Sequence, residues 1–487
     1  MSVDFERRYR HITGRPLLAT VSFLIVGLVA PMFPLAILLL APAAFIARRW
    51  LLLGAALFAI GFLRTAFTSD PQPPLPTVEQ TVVGRIVSTP NLAQKYQRAI
   101  LDIGDRNLLL YERPQRLLMA GDWVRVKGKI ANIGERSAVY WARRGIHQRM
   151  SVIWDGGLEV LAPGAGPANW GSAWRTDMWS RLKRNLPERH AAMAMGIVAG
   201  QQDLVDREVA ENMRRSGTLH LLATSGFNVL LLAGALMFLL SHLPISRGLQ
   251  IGVALALLLA YADAVGGRPP VMRATVMAVI YLGAFLFHRS SDVLSTLGLA
   301  AIVYLLLEPG SLFDAGFQLS FVTVLGLALF VPPAFERTRK AIDKSVPSPG
   351  WRFVLQAVAA VFITSLVAQI VSAPLTAAHF GSFSLVAPVA NVLTALAVPM
   401  IYLGTVLGQL ADSISQELGR GFDLLITGPF AGWIDWVNGV LGGMPWAAVE
   451  TQPISWVVSC VAYLALLALS RPHRRDVTAL EDILVPA

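Results

Sequence analysis

The residues best placed to do chemistry sit in one stretch, Ser216 to Val229, where a charged segment runs into an apolar one. Ser216, His220, Thr224 and Asn228 recur at every fourth position and so share one face of a helix. Ser225 adds a third hydroxyl at the same mouth. Polar groups in a lipid-embedded helix cost free energy unless they face protein or a watery cavity. The spacing therefore predicts a helix that turns this face inward. Such a face either lines a wet path or serves as interhelical glue, with Gly226 and Gly234 allowing close approach.

Further polar groups interrupt the apolar runs downstream. Asp314 and Gln318 lie one helical turn apart. Ser365, Gln369, Ser372 and Thr376 recur at helical spacing, and Pro374 is expected to break that helix near His379. Asn391 follows in the next apolar run. Arg273 stands at the start of another run. In mid-membrane it needs a partner, for which Asp314 is the candidate; in the headgroup region it simply snorkels. Gly266 to Pro270 and Ala373 to Leu375 are the Gly/Pro interruptions that mark substrate sites in transporters. No G-x-x-x-x-G-K-[ST] phosphate loop, H-E-x-x-H or H-x-H occurs, so neither ATP hydrolysis nor a resident metal or cofactor is expected. An intramembrane aspartyl protease would have to use Asp263 and Asp314. Isolated intramembrane aspartates more commonly have structural or pathway roles.

These residues need helices to hold them. The chain is 54% hydrophobic and only 15% charged, with a mean hydropathy of +0.55. An ordinary soluble chain carries about 25% charged residues. The composition gives a polytopic α-helical membrane protein, with about twelve apolar segments by the hydropathy rule. A net charge of +10 reflects in part the cytoplasmic bias of Lys and Arg, and alone is weak evidence for nucleic acid. The single cysteine, Cys460, excludes an intramolecular disulfide.

Five regions follow in order. Residues 1–68 carry N-terminal membrane helices, with a tight hairpin expected at Pro31–Pro34 that keeps Arg7–Arg15 and Arg48–Arg49 on one side. After the proline-rich Ser69–Pro76, residues 78–162 are polar and strand-like. In Val124–Ile130, Val124, Val126 and Ile130 alternate with Arg125, Lys127 and Lys129, giving an apolar face and a basic one. About five strands here suit a small all-β barrel of OB type, a fold that often binds oligonucleotides. Tyr96, Tyr111 and Trp123 are candidate stacking platforms for bases. Residues 163–215 read as interfacial and amphipathic linker helices, rich in Trp and Arg. Residues 216–470 hold the main transmembrane domain, and 471–487 form a basic tail. The Lys/Arg distribution places the β domain outside and both termini in the cytoplasm.

The stretch SGTLHLLATSGFNVLLLAG resembles the signature of the ComEC family, competence-type membrane proteins that pass DNA across bacterial inner membranes. Three further blocks match in the family's order: GGRPPVMRATVM (Gly266–Met277), LFDAGFQLSFVTVLGL (Leu312–Leu327) and VAQIVSAPLTAAHFGSFSLVAPVANVLTALAVP (Val367–Pro399). Together they cover most of residues 190–470. Asn228 departs from the pattern, since the family commonly has a second histidine there. The resemblance implies an OB-like domain ahead of the channel and transport of single-stranded DNA into the cytoplasm. It also implies a separate DNA receptor, a cytoplasmic ATPase and a nuclease, and leaves a homo-oligomer open. Many relatives carry a C-terminal metallo-β-lactamase-like nuclease domain. The chain ends soon after its last apolar run, so no catalysis is expected of it. A small-solute or ion transporter, or a non-transporting relative, would use the same polar stripes.

Overall fold

The computed structural model describes residues 74–87, 91–92, 97–112, 118–134, 141, 145–152, 157–164, 170–222, 226–267, 269–286, 293–450 and 456–469, with six isolated positions between 21 and 60. The expected N-terminal helices and the basic tail lie outside the described residues, apart from those six positions.

Seven strands build the first unit: β1 (Glu79–Ile86), β2 (Asn91–Leu92), β3 (Gln97–Asp102), β4 (Asn107–Glu112), β5 (Trp123–Asn132), β6 (Gln148–Val152) and β7 (Leu158–Ala162). The sheet runs β1-β3-β4-β6-β5 and returns to β1, closing a five-stranded barrel; β7 extends β5 and β2 pairs with β3. All pairs are antiparallel except β4 with β6. This order is that of a Greek-key barrel of OB type. Closure follows from the alternation of β5. Val124, Val126 and Ile130 are fully buried and meet Ile86, Leu101, Leu108, Leu110 and Met150, while Arg125, Lys127 and Lys129 stay exposed. Gly128 is needed where β5 crosses β6, since a Cβ there would stand 2.6 Å from Ser151 O.

The second unit is helical. Its elements are α1 (Trp170–Asn185), α2 (Glu188–Ala199), α3 (Arg207–Ser216), α4 (Gly226–Ser241), α5 (Arg247–Ala264), α6 (Pro269–Leu286), α7 (Val293–Leu307), α8 (Ala315–Ser345), α9 (Pro349–Phe380), α10 (Ala387–Thr394), α11 (Ala397–Asp412), α12 (Gln416–Phe422), α13 (Gly428–Gly443) and α14 (Trp456–Leu469). A two-stranded ribbon, β8 (Ser382–Ser384) with β9 (Ala448–Glu450), ties the ends of α9 and α13. Among the described residues, four helical stretches are long and apolar enough to cross a membrane: Arg247–Ala264, Ala315–Ser345, Pro349–Phe380 and Ala387–Asp412. Three shorter apolar helices accompany them. The described residues thus do not reproduce twelve segments.

Two local expectations are corrected and one is extended. First, Ser216 to Asn228 is not one helix. α3 ends at Ser216, and Gly217 takes the left-handed conformation at φ 78°. A short 3-10 turn spans Leu219–Leu221, and α4 starts afresh at Gly226. Second, α1 does more than an interfacial setting alone requires, because one side of it packs into the helical unit. Met178 and Leu182 are fully buried in the main helical core, and Arg175 and Arg181 are buried with them. Third, Pro374 does not break α9, which continues to Phe380 and is capped by Gly381 at φ 61°. α14 clamps the proline turn instead: Ser459 Oγ donates to Pro374 O at 3.2 Å, and the Tyr463 hydroxyl donates to Val371 O at 3.0 Å.

One ionisable group in the barrel makes a measurable prediction. Glu112 is buried beside Gln97, whose Nε2 donates to Glu112 Oε2 at 2.5 Å. Burial pushes its carboxyl from 4.5 up to about 7, against the opposing effect of the Gln97 bond. A raised folded-state value favours the fold while the group is protonated. That contribution is complete below the unfolded value of 4.5 and is lost as pH rises through about 7. Glu112→Gln removes the dependence. Melting curves of the two proteins between about pH 5 and about pH 8.5 should diverge by about 1–3 kcal/mol across neutrality, with the wild type weaker on the alkaline side. Parallel curves would show that Glu112 ionises without penalty.

Candidate functional site

The break after Ser216 creates a polar crossing. The Ser216 and Thr218 hydroxyls, both fully buried, donate to Asn438 Oδ1 of α13 at 2.5 and 2.6 Å. Asn438 Nδ2 in turn donates to Ile434 O at 2.7 Å, so the amide is fixed from both ends. Gly217 between the two hydroxyls touches the β8–α10 corner. A Cβ there would stand 2.5 Å from Ala387 Cβ and 3.0 Å from Ser384 Cβ. Gln369 Nε2 of α9 donates to Ser384 O from the other side, and Ser372 Oγ donates back to Gln369 O at 3.3 Å. His220 Nδ1–H donates to Gly217 O at 3.0 Å, which leaves Nε2 facing away from the crossing. The imidazole is exposed. Thr224 and Ser225 lie outside the described residues.

Asn228 has a different setting from His220. It is fully buried, and its Nδ2 donates to Ile197 O at 3.3 Å. The Tyr402 hydroxyl donates to the same carbonyl at 3.0 Å, and Tyr261 donates to Val198 O at 2.8 Å. The two phenol oxygens are 2.9 Å apart. These three side chains close the C-terminal end of α2 against α4, α5 and α11.

A second polar corner gathers the start of α8. Arg273 is 2% exposed, and its Nη2 donates to Gly316 O at 2.9 Å. Asp314 caps α8, its Oδ1 accepting from Gly316 N at 2.7 Å. Arg273 and Asp314 thus grip opposite ends of one residue. Gln318 Nε2 donates to Leu312 O at 3.0 Å, and its Oε1 lies 2.9 Å from His379 Nε2 of α9. Asn391 Nδ2 donates to Ser365 Oγ at 2.7 Å. Gln369, Ser372 and His379 therefore fall along one stripe of α9, with polar partners on β8 and α8.

Sequence reasoning missed a third centre, between α1, α11 and the α12–α13 junction. Arg181 and Asp423 are 1% and 0% exposed and lie 3.5 Å apart. Arg181 Nη2 donates to Thr405 O at 2.9 Å, and Asn185 Nδ2 to Asp423 Oδ2 at 2.8 Å. Asp423 opens a π-helical turn, Asp423–Thr427, of the kind that recurs at functional sites. Gly404 and Gly408 make room: a Cβ on Gly408 would come within 2.2 Å of Arg181 Nη1. The available signal was Asp423 itself, a lone carboxylate at the lip of an apolar run.

On the barrel, Arg85, Arg125, Lys127, Lys129 and Arg149 are exposed on the outer face. Lys129 stands opposite Glu79, and Arg125 Nη1 bonds Glu159 Oε2 at 2.6 Å. Lys127 faces Thr81. Trp123, at the head of β5, is 48% exposed and opposite Arg85. The β3–β4 face, used for oligonucleotides by many OB folds, is covered here. Ile133 and Ile146 pack on Leu109 with Ile100, Tyr111 and Trp141, and Arg98 stands 5.7 Å over the Trp141 ring. Tyr111 thus belongs to this cover. Tyr96 lies outside the described residues.

The setting of Asn228 sets an expectation for its replacement. Asn228→Leu removes one donor from Ile197 O, while Tyr402 remains on it. The melting temperature should fall by the equivalent of about 0.6–2 kcal/mol. An unchanged melting temperature, with loss of any transport activity, would mean that Asn228 serves a path rather than the end of α2.

The profile of the Competence protein family matches residues 197–475, which include both polar crossings and Asp423. ComE operon protein 3 of Bacillus subtilis (strain 168) is 31% identical over 261 residues, covering 52% of this chain and 30% of that protein. An uncharacterized protein of Aquifex aeolicus (strain VF5) is 28% identical over 242 residues, covering 49% of this chain and 51% of that one. The chain matches about a third to half of the length of these relatives. No solved structure matches. The family profile extends over more than half of the chain, across the helical unit built around α2, and the chain belongs to the Competence protein family.

Proposed function

We propose that this chain is an inner-membrane channel component that passes single-stranded DNA into the bacterial cytoplasm. The observation that carries the reading is the family membership of residues 197–475. The exposed basic strand face of the barrel supports it. In this reading the barrel lies outside, both termini lie in the cytoplasm, and DNA meets the barrel first. The contact Arg98–Asp203, at 3.5 Å, joins barrel and helical unit next to the residues that follow α2. His220, exposed beside the crossing, offers Nε2 as an acceptor to the amino group of a passing base. The stripe Gln369, Ser372, His379, with Gln318, Asn391, Arg273 and Asp314, gives wettable walls with little fixed charge, which suits conduction because conduction needs release. A separate receptor, ATPase and nuclease would supply capture, drive and strand degradation.

Loss of DNA uptake in cells deleted for the gene, restored by the wild-type chain, tests the reading. Unimpaired uptake would favour a small-solute or ion transporter on the same fold. At the barrel, the full chain in nanodiscs should bind single-stranded oligonucleotides with strong salt dependence. Replacing Arg125, Lys127 and Lys129 together by alanine should reduce the slope of log K against log salt by about 2. Trp123→Ala should cost about 1–3 kcal/mol if a base stacks there. An unchanged slope would make this strand face an ordinary solvated surface.

A further inference from the structure

The hairpin of α8 and α9 holds a mismatch that a flat membrane boundary cannot satisfy. The helices have 31 and 32 residues, so each is about 46–48 Å long. In α8 the first charged residue after Ala315 is Glu336, so its uncharged stretch is about 31 Å, close to the hydrocarbon thickness of about 30 Å. Beyond it come Arg337, Arg339, Lys340 and Lys344, all exposed. α9 runs antiparallel beside them and behaves differently. Its exposed apolar stripe begins at the turn itself: Trp351 is 66% exposed, Phe353 73%, Val354 45%, Leu355 41% and Val358 44%. The stripe then continues without a break through Phe362, Leu366 and Ile370. The uncharged stretch of α9, from Phe353 to Ala378, measures about 39 Å.

An upright hairpin set to the length of α8 would hold Trp351, Phe353 and Leu355 in water. One set to the length of α9 would sink four cations into acyl chains. The tip does not avoid the conflict by loosening. Arg352 closes the turn onto Val346 O at 2.9 and 3.2 Å, and Gln356 Nε2 bonds Asp343 Oδ1 at 2.8 Å. Glu336 engages Arg339 and Lys340, and among the described residues no acid pairs with Arg337 or Lys344.

We propose that the tip of this hairpin is a binding surface for anionic phospholipid headgroups. The hairpin leans, so that the α9 stripe faces the acyl chains and the α8 cations face the lipid phosphates above it. Both conditions are then met at once. Cationic side chains reach upward along their apolar stems, and anionic headgroups supply the counter-charge. The prolines inside α8, Pro332 and Pro333, fall where the uncharged stretch ends, and they remove two helical donors where the lean begins. Single-stranded DNA fits this surface less well. Trp351 and Phe353 could stack bases, but Val354, Leu355 and Val358 have no ring to offer, and their stripe is continuous with the lipid-facing one.

The test uses the full chain with Cys460→Ala, carrying Val354→Cys or Lys344→Cys labelled with an environment-sensitive fluorophore, in nanodiscs. With the label at 354, emission should be blue-shifted and quenched by doxyl-labelled lipid. With the label at 344, quenching by headgroup-labelled phosphatidylglycerol should exceed that by headgroup-labelled phosphatidylcholine at equal mole fraction. Arg337→Gln should lower that preference by about fivefold, with the melting temperature unchanged. Water-like emission at 354 that ignores doxyl lipid would overturn the proposal. So would equal quenching by the two lipids, or protection of both labels by an added oligonucleotide instead of by lipid. None of these readings depends on DNA uptake.

Discussion

A helix whose last nine residues are all buried must have its end satisfied from outside itself. α2 meets that condition: Ala191 to Ala199 are all buried. Its last carbonyls cannot turn to water, and leaving them bare in a low-dielectric interior would cost several kcal/mol. Tyr402, Asn228 and Tyr261 supply the donors, and Gly200 supplies the left-handed turn that lets the chain leave, at φ 68°. At the other end Arg189 reaches Asp435 at 2.7 Å. Each partner belongs to a different helix, so α2 fixes where α4, α5, α11 and α13 stand. The small side chains of α2 allow that closeness. At Gly196 an added Cβ would already meet Leu222 at 2.8 Å.

The Arg181–Asp423 centre obeys the same rule with charges in place of dipoles. A buried pair costs desolvation on both sides and repays it only when further hydrogen bonds complete the shell. Thr405 O and Asn185 provide part of that shell. The π-helical turn sets the Asp423 carboxylate toward α1, and Gly404 and Gly408 let α11 come close enough for Arg181 to reach past it. Arg184 with Asp412, at 3.0 Å, repeats the contact one turn further on, in a more exposed place. α1 is thus bolted to the helical unit while its other end leads from the barrel.

The barrel was legible because period-2 alternation is a local signal. Val124, Val126 and Ile130 are buried and their neighbours exposed, as the pattern required. Which face of the barrel stays open was not legible, because the cover from Ile133, Trp141 and Ile146 depends on how a connection folds back. In the helical unit, spacing misled where backbone geometry intervened. Ser216, His220 and Asn228 fall at helical intervals, but Gly217 turns the chain and sends the first to α13 and the last to α2. Pro374 read as a break because proline removes a donor, but the helix continues past it, and α14, 92 residues away, holds the neighbouring Val371 O. The Arg and Trp of α1 pointed to the membrane boundary and said nothing of its burial. Its buried partner lies too far along the chain for any local window to register.

The distances along the chain between these partners bear on how the protein comes to be made. Ser216 waits for Asn438, 222 residues later, and Arg181 for Thr405, 224 residues later. At a synthesis rate of about 5–20 residues per second, each group spends about 10–45 seconds without its mate. During that interval a nascent α1 holds an uncompensated guanidinium, and the translocon or headgroup region must shelter it. The helical unit can therefore close only after α13 has been made. A chain stalled or truncated before α13 would keep its polar groups exposed to lipid, and would be a natural substrate for membrane quality-control proteolysis.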